Sequence, residues 1–280
     1  MKNNRFFSVS GLFISFLVIS LLLGSCKVST KEGDNQTTIE SLGDVTSDLD
    51  KEVSEFIYPL PDSYEVTEML NRIGIPYMLG TSNTVENVNR YFTAKSKAYN
   101  IGVYGADLSY SSTYQMTQET MLYLEAVNQL GSDLGISSIY NEDLLNRIDQ
   151  NVNNKDSLVE IITITIHDTY DYLNKNGKGD LSILMVAGGW VEAMYLTTNV
   201  SANVYNNPEI VKIIYSQNPG LDNLIKIAEE RKDNPDIKEL LDDLQPIKEA
   251  YNAATSENMT EEQIGALSAA IEKLRTKFIS

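Results

Sequence analysis

Apolar residues recur along this chain every three or four positions, the spacing that keeps side chains on one face of an α-helix. Met116, Thr120, Tyr123, Val127, Leu130 and Leu134 form one such stripe. Leu181, Leu184, Gly188, Val191 and Tyr195 form a second, and Ile237, Leu240, Leu244, Ile247 and Tyr251 a third. Ile264, Leu267, Ile271, Leu274 and Phe278 form the fourth. A striped helix needs a partner to cover its apolar face, so the set predicts an all-α fold of packed helical hairpins forming a single bundle-like domain. Asp62 or Ser63 is placed to start a short helix through Leu70, Ile73 and Gly74, and Thr260 with Gln263 forms a capping box for the last helix. Pro246 is expected to kink or split the helix before it. Asn176-Gly177 and Asn218-Pro219-Gly220 read as stops.

One segment pulls the other way. Val159 to Ile166 holds Ile161, Ile162, Ile164 and Ile166 with Thr163 and Thr165 between them, and β-branching alone favours a strand. Helix is the better reading, because Asp156 can serve as an N-cap and the apolar pattern continues to Leu173. Asn174 to Gly179 then forms a stop, with Asp180 as the next N-cap. No fixed period repeats along the chain, which argues against a regular solenoid.

The N-terminus follows a different pattern. Lys2 and Arg5 precede an apolar run from Gly11 to Leu23, which ends in Leu23-Gly24-Ser25-Cys26, the only cysteine of the 280 residues. This resembles a bacterial lipoprotein signal. In proteins of that type the thiol receives a diacylglyceryl group, the preceding peptide is removed and the new amino group is acylated. Residues 1–25 are therefore expected to be a signal peptide, with Cys26 lipidated and the membrane held through its acyl chains. Phe6 to Leu23 also approaches the roughly 18 to 20 apolar residues that span a bilayer, so an uncleaved anchor is the alternative. Lys27 stands where an inner-membrane retention signal would have Asp. The expected destination is thus the outer membrane, facing the periplasm. Residues 26–50, poor in large apolar side chains, read as a flexible tether, and residues 51–280 as the helical domain.

Charge narrows the partners. Without Lys2 and Arg5 the chain carries 20 basic against 39 acidic residues, a net of −19. A nucleic acid would be repelled by such a surface. If Cys26 is lipidated, no disulfide and no catalytic thiol remain.

Candidate chemistry is sparse. His167 is the single histidine, so one chain cannot build a metal centre from several imidazoles. Tyr170 occupies the place of the Glu in the HxxE element of imelysin-type helical envelope proteins, and His167-Asp168 is an acid–base pair only where a substrate reaches it. Gly131-Ser132-Asp133-Leu134-Gly135 lacks the central serine of a nucleophile elbow. The loop from Asn174 to Asp180 has Asn, Asn and Gly in EF-hand order, but Tyr172 and Ile183 stand where carboxylates belong. No cofactor is implied.

Two segments are unusual for helix surfaces. Tyr99 to Tyr114, if helical, puts Tyr104, Asp107, Ser111 and Tyr114 on one face, with Gly102, Gly105 and Ala106 allowing a close neighbour. Ala187 to Tyr195 carries Gly188 and Gly189, each costing a helix about 1 kcal/mol, one turn from Glu192. On a functional reading Asp107 and Glu192, with Tyr104, Tyr195 and Trp190, line a shared pocket for a small ligand or a cation. On a structural reading the glycines permit tight helix crossings and the carboxylates accept hydrogen bonds inside the bundle. Together with the lipobox, the segments Tyr104 to Tyr110 and Ala187 to Tyr195 resemble those of uncharacterised all-helical lipoproteins of Gram-negative envelopes. The resemblance implies an all-α periplasmic or outer-membrane-attached domain and carries over no catalytic residue. Three classes are then open: a non-enzymatic envelope module that binds a protein partner or has a structural role, a small-ligand or cation-binding lipoprotein accessory to uptake, and a hydrolase using carboxylates such as Asp107 and Glu192.

Overall fold

Ten α-helices account for most of the chain described by the computed structural model, which covers residues 63–152, 154–200, 204–254 and 257–280. We label them α1 (Ser63–Arg72), α2 (Ala94–Thr113), α3 (Thr117–Asp133), α4 (Glu142–Asn151), α5 (Lys155–Lys175), α6 (Gly179–Asn199), α7 (Pro208–Ser216), α8 (Asn218–Glu229), α9 (Pro235–Asn252) and α10 (Glu261–Ile279). A 3-10 helix, Val85–Arg90, precedes α2, and another, Val204–Asn206, precedes α7. No strand occurs among the described residues. The expected signal peptide, Cys26, the tether and Asp62 lie outside them.

Helices α2 and α6 form the axis of the bundle, and the others pack around this pair except α4, which packs on α5. Both are buried on nearly every face, α2 from Ala98 to Thr113 and α6 from Ser182 to Thr198 with few interruptions. The stripe foreseen for α6 is therefore too narrow, because a helix enclosed on all sides is apolar all round. By length and composition α6 could cross a membrane, but it is mostly buried in the bundle, as befits a core helix. Where α2 and α6 cross, a Cβ on Gly102 would lie 1.9 Å from the Met185 carbonyl oxygen, and one on Gly188 would lie 2.0 Å from that of Tyr99. Gly189 faces Gly102 at the same crossing. Gly105 plays no such part, since its nearest neighbour would be an Ile166 side chain at 3.8 Å. Backbone contact at this distance is possible only without side chains, which repays the helix propensity the glycines sacrifice.

The outer helices follow their stripes. In α3 Thr120, Tyr123, Val127 and Leu130 are buried, in α9 Ile237, Leu240, Leu244, Ile247 and Tyr251, and in α10 Ile264, Leu267, Ile271, Leu274 and Phe278. Thr260 and Gln263 form the expected capping box. The β-branched segment is helical within α5, but its N-cap is Asn154, which accepts from Ser157 N, and Asp156 sits in the first turn. Likewise Lys178, not Asp180, precedes α6, and the Asp180 carboxylate instead accepts from Asn234 and Arg231. Pro246 does not split α9, which runs on through it. Pro246 and Asp242, one turn before it, are both exposed, so water can hydrate the carbonyl that loses its donor. Asn218-Pro219-Gly220 is the first turn of α8 rather than a stop, consistent with the fitness of proline for that position.

Candidate functional site

Glu192 is the one acidic residue of α6 beyond its first turn, in a helix otherwise apolar enough to be a core element. It lies seven residues after Met185, on the face that meets α2, and it is 0% exposed. A carboxylate there needs a partner. Arg275 of α10 supplies it in a two-pronged contact, Nε to Oε2 at 2.6 Å and Nη2 to Oε1 at 2.8 Å, and is itself only 8% exposed. The guanidinium also lies 3.9 Å above the Tyr195 ring, one turn on from Glu192. Asp107 of α2, also 0% exposed, completes the group. Its Oδ2 accepts from the Asn83 backbone N–H at 3.1 Å, and its carboxyl is near enough to Glu192 to feel that charge.

Two buried carboxyls therefore lie near one guanidinium, which contacts Glu192 directly. Burial first, then the adjacent Glu192 charge, push the Asp107 carboxyl well above the usual carboxylate range, against the pull of Arg275. Burial raises Glu192 as well, but the Arg275 fork opposes it directly. Of the two, Asp107 lacks the two-pronged guanidinium contact that Glu192 has. The Ser82 side chain and the Asn83 backbone also face the Asp107 carboxyl, and both oppose its upward shift.

A second pattern covers this group. Residues 75–84 pass over one face of α2, and side chains hold their backbone at five points. Tyr114 donates to Ile75 O at 2.8 Å, Tyr110 accepts from Met78 N at 2.9 Å, and Tyr104 donates to Thr84 O at 2.9 Å. Asp107 holds Asn83 N, and Arg275 Nη2 donates to Thr81 O at 3.2 Å. Positions 104, 107, 110 and 114 are spaced by three and four, so one helix face reads the segment. Burial is the leading cause of the raised pKa values of Tyr77, Tyr104, Tyr110, Tyr114 and Tyr123, which keeps these phenols protonated. Tyr77 packs its ring against those of Tyr110 and Tyr114 at 4.6 and 5.7 Å.

The foreseen residues therefore separate. Asp107, Glu192 and Tyr195 converge through Arg275, and Tyr104 lies beside them. Ser111 turns toward α3, donating to Leu108 O and accepting from Thr120, so Tyr110 takes its place in the line. Tyr114 serves the far end of the segment. Trp190 is two residues from Glu192, about 200° around the helix, and leaves α6 on another side. Its Nε1 is buried with no hydrogen-bond partner among the described residues. Arg275 and Asn83 were missed. Arg275 stands between Leu274 and Phe278 on an apolar stripe, which was the available signal.

The chain matches no known family model, no curated protein and no solved structure in three separate comparisons.

Proposed function

We propose that this protein is a lipid-anchored envelope protein of the Gram-negative type, held to the outer membrane through Cys26. Its helical body then acts as a non-enzymatic structural or protein-interaction module. The observation that carries the anchor is the order of a basic start, an apolar run and Leu23-Gly24-Ser25 before the sole cysteine. The non-enzymatic reading is supported by the way the two interior acids are used. Glu192 is engaged by both prongs of Arg275, Asp107 binds the backbone of Asn83, and both acids are fully buried. A pair working on a substrate needs access as well as separated pKa values.

Mass spectrometry of the mature N-terminus tests the anchor. It should find a diacylglyceryl-modified Cys26 as the first residue, and acyl labelling should vanish in Cys26→Ser. An unmodified Cys26, or labelling that persists, would refute it. Envelope pull-downs with the wild-type protein test the module, and the reading requires a recurrent protein partner.

A second reading, small-ligand binding, is favoured by a separate cleft of about 380 Å3 between α4 and α5. Arg147 and Lys175 bring positive charge to it, Asp143 and Asp168 negative charge, and Ile139 and Leu144 an apolar floor. Such a mixture suits a small zwitterion better than a bare cation. A dose-dependent rise in melting temperature with free amino acids or short peptides, lost in Arg147→Ala, would move the assignment to this reading.

A further inference from the structure

The segment 75–84 is tied to the bundle by two members of one charged group. Asp107 accepts from Asn83 N, Arg275 donates to Thr81 O, and both feel the Glu192 charge, Arg275 by direct contact. Whatever alters the balance of that group acts on two of the five ties at once. Its balance is delicate, because two buried carboxyls face one guanidinium. With one proton present the group is neutral, and without it a full negative charge is left in the interior.

We propose that residues 75–84 form a proton-controlled latch, seated on α2 while the buried Asp107 and Glu192 pair holds one proton and lifted to admit water when that proton leaves. The segment is the cheapest wall of the site to move. Thr81 and Ser82 are only half-buried and Leu79 and Gly80 are exposed, whereas α2 and α6 are locked by backbone contact at Gly102 and Gly188. Water reaching Asp107 would solvate the new charge, and the ties through Asn83 and Thr81 would then compete with water. The remaining ties, from neutral tyrosines to Ile75, Met78 and Thr84, leave the segment attached as a hinged flap rather than a free loop. Lifting it uncovers two carboxylates flanked by phenols. The titratable and charged groups facing Asp107 are Glu192 from α6, Arg275 from α10, Tyr104 and Tyr110 from α2 itself, Tyr123 from α3 and Tyr77 from the segment. Arg275 stays positive and the phenols stay neutral, so the proton of the acid pair is the one that changes first.

Hydrogen exchange of the full chain in detergent micelles between pH 5 and pH 9 tests the latch, with rates corrected for the intrinsic pH dependence of exchange. Amides of residues 75–84 should lose protection as pH rises, by up to about tenfold per pH unit, the limit for one linked proton. Amides of Gly179–Asn199 in α6 should not. Asp107→Asn keeps an acceptor for Asn83 N and a donor for Glu192, and should hold the segment seated across the range. Glu192→Gln removes the second charge, lets Asp107 ionise against Arg275 and should also abolish the response. The proposal is overturned if the wild-type segment shows no pH-dependent loss, if the loss persists in both variants, or if α6 opens in parallel, which would mean global unfolding.

Discussion

Helix α10 meets its neighbours by two kinds of physics. Along one stripe Ile264, Leu267, Ile271, Leu274 and Phe278 are buried in the core beside the matching stripe of α9, and Phe278 stacks on Tyr99 of α2 at 3.8 Å. Each fully buried side chain of that kind contributes about 1.5–3 kcal/mol, and no single one decides the outcome. One residue past Leu274 the same helix sends Arg275 into a site with two buried acids. There the energy is concentrated, because removing Arg275 strands the Glu192 charge out of water. The apolar seam makes the helices associate. The polar end fixes α2, α6, α10 and residues 75–84 in one mutual arrangement, through the Arg275 fork on Glu192, its bond to Thr81 O and the bond of Asp107 to Asn83 N.

The largest effect that would sharpen this contrast is expected from Arg275→Ala. It leaves Glu192 buried without its counter-charge and should cost about 3–5 kcal/mol in denaturant unfolding. A loss below about 1 kcal/mol would mean that water already reaches Glu192 and that the two regions do not differ. Leu267→Ala in the seam should cost about 2–4 kcal/mol by the same measurement, from lost transfer energy and the cavity left behind. Gly188→Ala should cost about 1–3 kcal/mol by forcing α6 away from the Tyr99 carbonyl, and it should disturb the polar end more than the seam. Amide chemical shifts near Glu192 and near Leu267 would separate the two responses.

Smaller effects come from pH, with opposite signs in two places. The folded Asp107 binds its proton more tightly than the unfolded chain does, so its contribution is fully present below its ordinary value of 3.8 and is lost as pH rises toward the raised folded value. Glu239 behaves in reverse. It sits at the surface between Lys95 of α2 and Lys277 of α10, which lower it to about 2, so its contribution is present above 4.5 and is lost as pH falls toward about 2. Melting temperature against pH should therefore fall on both sides of an acidic optimum, and Asp107→Asn should flatten the upper side alone. Lys277→Ala, which removes contacts to Glu239 and Asp243, should cost less than about 1 kcal/mol because these partners are only half-buried and solvent screens them.

The seam was legible from the chain because stripes of spacing three and four describe helices that are covered on one side. Every foreseen position in α9 and α10 is buried. The central pair was harder, since α2 and α6 are enclosed all round and a one-sided stripe understates them. The paired glycines of α6 did announce its close crossing with α2. The polar end was half legible. Asp107 and Glu192 stood out as acids among glycines and aromatics, but their partner Arg275 lies 83 residues from Glu192, and helical periodicity has no reach across that distance. Ser111 and Tyr110 differ by one residue on a helix that is buried on both sides there, so spacing alone could not choose between them.

The most direct measurement is a carboxyl-carbon NMR titration of the folded protein. One Asp carboxyl, absent from Asp107→Asn, should titrate far above the usual range, and it should fall markedly when Glu192 is replaced by Gln. If every Asp and Glu carboxyl instead titrates at ordinary acidic pH, the shared proton does not exist and the account of the polar end is wrong.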